Sequence, residues 1–312
     1  MSLPITVIIG PPRSGTTILG QVLDRHPRIS TWIEPYYIWD HFFRQATDDE
    51  LKAEDATDKV RRWIRKEFTY YWKAFGVDWI VDKSPRNCLK LPFVSKVFPE
   101  ARFIFILRDG RDTILSILRQ WERKGQIFGE TGASRHWQEK LYIYQRRLKR
   151  RKLWRFKMKS ILFELGPPKN WIKKEFLNHI RWSGRFGWGP RFRGWQDIID
   201  TASPLEFSAY QWIHCAKGIM NNIDFLPADS RIILKYEDFI IDPQRSIENI
   251  LQFMGMEFPK GFMDMVPEIW PGNKNKWRQG FSVRELKIIG PIIGKTLIEY
   301  GYENDEAWYR EV

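Results

Sequence analysis

The sequence predicts an α/β fold in which a parallel β-sheet carries helices on both of its faces. Several short apolar segments, rich in β-branched and aromatic residues, are separated by helical patterns, as βαβ units require. One of them runs directly into a turn of Gly, Ser and Thr residues, which is typical of a strand followed by an anion-binding loop. A chain of 312 residues can bury a sizeable core, so we expect one domain covering residues 1–312.

The first element is the segment 5–17, which reads ITVIIGPPRSGTT. Its Gly-x4-Gly spacing, followed by Thr16 and Thr17, matches a phosphate-binding P-loop, except that Thr16 stands where a Walker A loop has lysine. The positive charge lies instead at Arg13, whose guanidinium can bind a tetrahedral anion bidentately. We therefore predict a P-loop NTPase-like sheet whose loop holds a phosphate or sulfate group without triphosphate chemistry.

Three further strands follow in order: VDWIVDK at 77–83, RFIFILR at 102–108 and RIILKY at 231–236. Lys83 and Arg108 close the first two of these segments. Because ligands of open α/β sheets bind at the carboxyl ends of the strands, both side chains are candidates for a binding site.

The segments after these strands carry more candidate residues. An Asp-Gly turn follows Arg108 and leads into a helix that bears Ser116, while the strand ending at Tyr236 is followed by Asp242-Pro243 and a helix. Near the C-terminus, NKWRQGF at 275–281 places two cations on either side of a tryptophan.

Taken in this order, these segments resemble the family of sulfotransferases that use 3′-phosphoadenosine 5′-phosphosulfate (PAPS). The resemblance covers roughly residues 5–118 and 205–303, with a divergent middle. The arginine form of the loop, followed by Asp-Arg-His-Pro and Glu34, is similar to tyrosylprotein and some carbohydrate sulfotransferases.

The resemblance implies a PAPS site without a metal ion. The P-loop would hold the 5′-phosphosulfate, Arg108 and Ser116 the 3′-phosphate, and Tyr236 would lie near the adenine, while the late segment would close over the 3′-phosphate. The residues so implied are Arg13, Ser14, Gly15, Thr16, Thr17, Arg108, Ser116, Tyr236, Lys276 and Arg278.

The resemblance also implies two catalytic residues. Lys83 would stabilise charge on the bridging or leaving oxygen, and Glu34 stands where the tyrosylprotein enzymes have their general base. Family members that use a histidine base carry it two residues after such a lysine, and this chain has Pro85 there. His41 is a reserve candidate for the base. The alternative for Lys83 is an ion pair with Asp82.

Positive charge is concentrated in the middle of the chain. The net charge is +13, and residues 121–195 hold 20 Lys and Arg against 5 Glu, with nine cations in residues 146–159 alone. We interpret residues 121–200 as a basic, aromatic-rich insertion on the acceptor side. It could bind an acidic acceptor or lie peripherally on an anionic membrane, and the alternative is a solvated helix.

The expected function is sulfuryl transfer from PAPS to a hydroxyl group, with a glycan or glycolipid as the favoured acceptor and a tyrosine-containing peptide as the alternative. Two other classes stay open: a P-loop kinase, and a non-enzymatic binder of nucleic acid or membrane. The sequence has no recognised motif for specific nucleic-acid binding.

The sequence further predicts cytoplasmic residence. No signal-peptide pattern precedes the first strand, and no apolar run approaches the ~18 residues of a membrane span. Cys88 and Cys215 form neither a disulfide framework nor a metal-ligand cluster.

Overall fold

The computed structural model describes residues 2–126 and 188–311. Within them, five strands form one parallel sheet in the order β2-β3-β1-β4-β5. The α/β fold class is thereby confirmed. The strands are β1 (Ile5–Ile9), β2 (Ile29–Ile33), β3 (Trp79–Lys83), β4 (Arg102–Leu107) and β5 (Arg231–Lys235).

Helices connect the strands and cover both faces of the sheet. They are α1 (Thr16–Leu23), α2 (Tyr36–Trp39), α3 (Asp58–Phe75), α4 (Leu91–Val97), α5 (Gly110–Gln126), α6 (Trp195–Ile199), α7 (Pro204–Met220), α8 (Tyr236–Ile241), α9 (Pro243–Phe253), α10 (Phe262–Met265), α11 (Trp277–Gly280), α12 (Val283–Glu299) and α13 (Ala307–Arg310). Short 3-10 turns occupy Ala53–Asp55, Pro85–Leu89, Ile223–Phe225 and Ala228–Ser230.

Alternate residues of the strands supply two separate apolar cores. In β1, Val7 packs into the core that includes α3 and α4, whereas Ile8 packs into the core that includes α1 and α9. Burial on both faces explains why β1 and β4 read as continuous apolar runs. A third core joins α5, α7 and α12.

The four strands predicted from apolar runs are present, and β2 is a fifth. Its sequence, ISTWI, contains two hydroxyl residues, so it lacks the uniform apolar character of the others. The predicted helix after Asp242 is also present, and the Asp242 side chain caps it by accepting from the backbone N–H of Arg245.

Most of the basic insertion lies outside the described residues. Its C-terminal end is described and is anchored in the protein: Trp195 is buried, and Arg191 forms an ion pair with the buried Asp49 at 3.2 Å. Among the described helices, none has the length and apolar character needed to cross a membrane. Cys88 and Cys215 are buried and free.

Candidate active site

The P-loop lies at the carboxyl end of β1 and leads into α1, which begins at Thr16. Gly15 precedes the helix with φ 101°, and no side chain caps the helix. The first N–H groups of such a helix are donors for an anion. The buried Ser14 donates its hydroxyl to a carbonyl oxygen three residues earlier, at 2.7 Å, so it shapes the loop. Arg13 and Thr17 are exposed and are the side chains that the loop presents to a ligand.

Tyr236, expected near the adenine, packs directly against this loop. A Cβ atom on Gly15 would lie 2.4 Å from Cδ2 of the Tyr236 ring, so only glycine allows this approach. The guanidinium of Arg108 lies 4.7 Å from the centroid of the same ring. Burial raises the pKa of the Tyr236 hydroxyl, although Arg108 opposes the shift. The ring therefore supports the loop as a neutral, buried wall.

Three residues predicted for the donor site meet beside the loop. Nε of Arg13 donates to Oγ of Ser116 at 3.0 Å. Arg108 donates from Nη1 to the carbonyl oxygen of Arg13 at 3.1 Å and from Nη2 to that of Asn273 at 2.7 Å. Arg108 thus joins the P-loop to the loop that precedes α11. Their roles in phosphate binding stay predictions.

The loop before α11 brings the remaining predicted cations to this region. Nζ of Lys276 donates to Oδ1 of Asn273 at 2.6 Å and lies 4.6 Å from the centroid of the Trp270 ring. The exposed Arg278 stacks on Trp277, with its guanidinium 4.5 Å from the ring centroid. Lys276 therefore faces the same asparagine that Arg108 contacts, whereas Arg278 lies on the tryptophan beside it.

A buried carboxyl group, Asp112, holds the late loop to α5. Its Oδ1 accepts the backbone N–H of Trp277 at 2.9 Å, and its Oδ2 lies 3.8 Å from Nη2 of Arg108. Burial raises the pKa of Asp112, and the nearby Arg108 opposes the shift. Asp112 and Asn273 were not predicted as site residues. The RDGRD motif offered a signal for Asp112, but nothing in the sequence indicated that the carbonyl of Asn273 meets Arg108.

The two predicted catalytic residues form an ion pair. Nζ of Lys83 lies 2.5 Å from Oε1 of Glu34, and the Lys83 carbonyl accepts the Glu34 backbone N–H at 2.8 Å. The Lys83 side chain is 1% exposed and that of Glu34 is 42% exposed, so an acceptor can reach Glu34 directly from solvent. The alternative partner, Asp82, instead accepts from Ser84 and Asn87.

The reserve base, His41, occupies a different environment. Its ring stacks on Trp63 with centroids 3.9 Å apart and meets Phe42 edge-on. Packing between aromatic rings therefore accounts for the position of the His41 side chain without a catalytic role.

The central strand β1 separates the two groups of candidate residues. It pairs with β3, which ends at Lys83, on one side and with β4, which precedes Arg108, on the other. The Lys83 side chain also reaches α1, because a Cβ atom on Gly20 would lie 3.5 Å from its Cγ. The P-loop therefore lies between the Glu34–Lys83 pair and the cationic groups around Arg108, at a switch point of the sheet.

Backbone strain marks the same loops. Across residues 2–126 and 188–311, positive φ angles at non-glycine residues occur at Arg13 (71°), Glu34 (53°) and Asn275 (57°). One lies in the P-loop, one after β2 and one in the loop before α11. Such conformations cost roughly 1–3 kcal/mol each and cluster at functional sites. Each of the three loops that carry candidate site residues thus contains one strained residue.

Fold and site together define an α/β protein with an arginine-bearing P-loop, a carboxylate–lysine pair and a second cationic loop. The model of the sulfotransferase family matches residues 4–158 of this chain. In the part of the chain that the structure describes, no group of three or more His, Cys, Asp or Glu residues could hold a metal ion.

Two curated relatives are similar to part of the chain. Nodulation protein NoeE of Sinorhizobium fredii is 28% identical over 132 residues, which cover 38% of this chain and 32% of the relative. The protein-tyrosine sulfotransferase of Drosophila melanogaster is 34% identical over 139 residues, which cover 41% and 27%. The matched region is thus a third or less of the length of either relative.

A solved structure, the sulfotransferase domain from the curacin biosynthetic pathway, has a similar fold. It superposes with a TM-score of 0.54 at 13% identity and covers 95% of this chain and 98% of that domain. At this identity the similarity concerns the fold alone.

Proposed function

We propose that the protein transfers a sulfuryl group from PAPS to a hydroxyl group of an acceptor. The observation that carries this proposal is the Glu34–Lys83 ion pair of 2.5 Å. It lies at the carboxyl ends of the strands, where the arginine-bearing P-loop follows β1. A carboxylate and a buried ammonium group lie together there, which supports proton removal from a hydroxyl beside a group that stabilises the leaving oxygen.

In this proposal the donor occupies the uncapped N-terminus of α1 and the cations around Arg108. PAPS supplies the activated sulfuryl group, with the nucleotide phosphate as leaving group. The available donors fit such a ligand, because Arg13 and Thr17 are exposed and the helix offers backbone N–H groups. Arg108, Ser116 and Lys276 would bind the 3′-phosphate.

The transfer step assigns one role to each member of the ion pair. Glu34 takes the proton from the acceptor hydroxyl as its oxygen bonds to sulfur. Lys83 stabilises the negative charge that the leaving phosphate oxygen acquires as the bond between that oxygen and sulfur breaks.

The acceptor has two candidates. A glycan or glycolipid follows from the basic, aromatic-rich residues 121–200, most of which lie outside the described ranges. A tyrosine-containing peptide is supported by the position of Glu34 and by the similarity to a protein-tyrosine sulfotransferase. Cytoplasmic residence and peripheral contact with an anionic membrane also belong to this proposal.

The test compares two nucleotides before any acceptor is known. Adenosine 3′,5′-bisphosphate at 100 times its dissociation constant should stabilise the protein by ~2.7 kcal/mol in thermal unfolding, whereas ATP with magnesium should do less. Transfer of labelled sulfate from PAPS to glycan and tyrosine-peptide libraries then identifies the acceptor class. Greater stabilisation by ATP with magnesium would support a P-loop kinase and contradict the proposal.

A further inference from the structure

A second charged cluster lies beside the Glu34–Lys83 pair, and the transfer step does not use it. Arg86 follows Lys83 by three residues, in the turn Pro85–Leu89. Its guanidinium lies over the ring of Tyr36, 3.8 Å from the centroid, and Tyr36 follows Glu34 by two residues. The stacked pair is therefore close in sequence to both catalytic candidates, with Tyr36 near Glu34 and Arg86 near Lys83.

The charges around Arg86 do not balance. Its Nη1 donates to Oδ2 of Asp40 at 2.8 Å, while Nζ of Lys90 donates to Oδ1 of the same carboxylate at 3.3 Å. The Lys90 side chain is only 1% exposed. One carboxylate thus serves two cations, which leaves one positive charge without its own partner.

The other nearby carboxyl groups do not correct this surplus. Glu34 is paired with Lys83, and Asp49 with Arg191. Burial raises the pKa of Asp82 to about 7, so near neutral pH it contributes only part of a negative charge.

Arg86 also keeps unused hydrogen-bond donors. In the described ranges its hydrogen bond is the one from Nη1 to Asp40, and its side chain is 17% exposed. Burial disfavours its charge, but the carboxylates of Asp40, Asp49 and Glu34 outweigh that effect and raise its pKa. A charged guanidinium with free Nε and Nη2 groups is suited to bidentate binding of a carboxylate.

We propose that Arg86, held in place by Tyr36 and Asp40, forms a subsite for a carboxylate group of the acceptor, next to the hydroxyl that receives the sulfuryl group. This inference rests on the proposed function and names the acceptor class as carboxylate-bearing hydroxyl compounds. Tyr36 packs on one face of the guanidinium and Asp40 accepts from Nη1, so Nε and Nη2 are the groups available to the carboxylate.

The test is a pair of probes that differ in this one group, 4-hydroxyphenylacetate and tyrosol. Their dissociation constants are measured by NMR titration of the protein saturated with adenosine 3′,5′-bisphosphate. The wild type should prefer the carboxylate by about tenfold, the effect of a charge-assisted contact. Arg86→Gln should abolish the preference and Arg86→Lys should retain part of it. Arg62→Gln, which removes an exposed cation of α3, should leave it unchanged.

The variant Asp40→Asn tests the same subsite in the opposite direction. The Asn amide oxygen can still accept from Arg86, but the competing negative charge is gone, so binding of 4-hydroxyphenylacetate should strengthen and binding of tyrosol should not change. Equal binding of the two probes by the wild type, binding of neither, or a preference that survives in a folded Arg86→Gln protein would overturn the proposal. Circular dichroism shows whether Arg86→Gln is folded. If it is not, the carboxylate preferences of Arg86→Lys and Asp40→Asn test the proposal. A carboxylate preference without any sulfate transfer from PAPS would overturn only the proposed function.

Discussion

Glu34 is exposed enough to meet an acceptor, while its partner Lys83 is almost wholly buried. Glu34→Gln preserves the size of the side chain but removes its basicity. If Glu34 is the general base, turnover should fall ~10²–10⁴-fold, while the affinity for adenosine 3′,5′-bisphosphate changes little. Steady-state kinetics with labelled PAPS and calorimetry check both quantities, with Glu54→Gln, an exposed carboxylate elsewhere, as the matched control.

Lys83→Ala extends this prediction to the other member of the pair. It should slow the same step, and the double variant should lose less than the product of the two single effects, because both groups act on one transition state. A Glu34→Gln protein that transfers sulfate at the wild-type rate would remove Glu34 from the mechanism.

A third single residue, Asp82, makes stability depend on pH. Its side chain is fully buried, and burial raises its pKa from 3.8 to about 7. The folded protein therefore binds a proton that the unfolded chain has lost, so the stability from Asp82 is complete below pH 3.8 and is lost as pH rises to about 7. The slope is at most about 1.4 kcal/mol per pH unit.

Asp82→Asn should remove this contribution. Compared with the wild type, the variant should become progressively more stable between about pH 4 and 7. Urea unfolding at pH 5, 6, 7 and 8 measures the difference in the free energy of unfolding. A constant difference across this range would show that Asp82 does not titrate there.

At the scale of elements, the P-loop combines a positive φ angle at a glycine with a side chain packed directly against that glycine. Gly15 combines φ 101° with a neighbouring Tyr236 ring, whereas Gly76, at the C-terminus of α3, has φ 61° and nothing within 4 Å of an added Cβ. Gly76→Ala should thus cost only the left-handed backbone term of roughly 1–2 kcal/mol.

Gly15→Ala should cost more than this control. The displaced Tyr236 ring adds a packing cost of roughly 1–3 kcal/mol and shifts the loop that we propose binds the donor. Urea unfolding should show the larger loss of stability, and calorimetry should show weaker binding of adenosine 3′,5′-bisphosphate in this variant alone. Equal losses of stability in the two variants would mean that the contact with the ring contributes nothing.

At the scale of the whole molecule, Arg111 connects the active-site sheet to the C-terminal segment. It forms ion pairs with Asp109 and Glu303. Its guanidinium lies 4.0 Å from the ring centroid of Trp277 and 4.9 Å from that of Trp308. Because Arg111 is buried, this network ties α5, α11 and the region after α12 into one body.

Arg111→Ala should therefore destabilise the protein by roughly 3–5 kcal/mol, as expected when one partner of a buried ion pair is removed. The exposed pair Arg28–Asp78 provides the control, since its two side chains are 53% and 51% exposed. Arg28→Ala should cost at most about 1 kcal/mol. Urea unfolding of both variants measures the loss in the free energy of unfolding. Similar small losses would show that the Arg111 network does not join the sheet to the C-terminal segment.

The sequence predicted the parts of the molecule that depend on local patterns. The apolar runs, the P-loop and the position of Lys83 at the end of β3 followed from residue type and spacing. The partners did not, because they are brought together by the fold: Arg13 lies against Ser116, 103 positions away, and Arg108 contacts the carbonyl of Asn273, 165 positions away. Strand β2 was missed because its hydroxyl residues hide a buried strand.

The place of β1 between β3 and β4 has a consequence for how such a protein diversifies. Glu34, Lys83 and Arg86 all lie on the β2–β3 side of the P-loop, whereas Arg108, Ser116 and Lys276 belong to segments on the other side. Under the proposed roles, we expect substitutions on the first side to change which compound is modified while the nucleotide contacts stay intact. Exchanging the segments around β2 and β3 between relatives would then give new acceptors with the same donor.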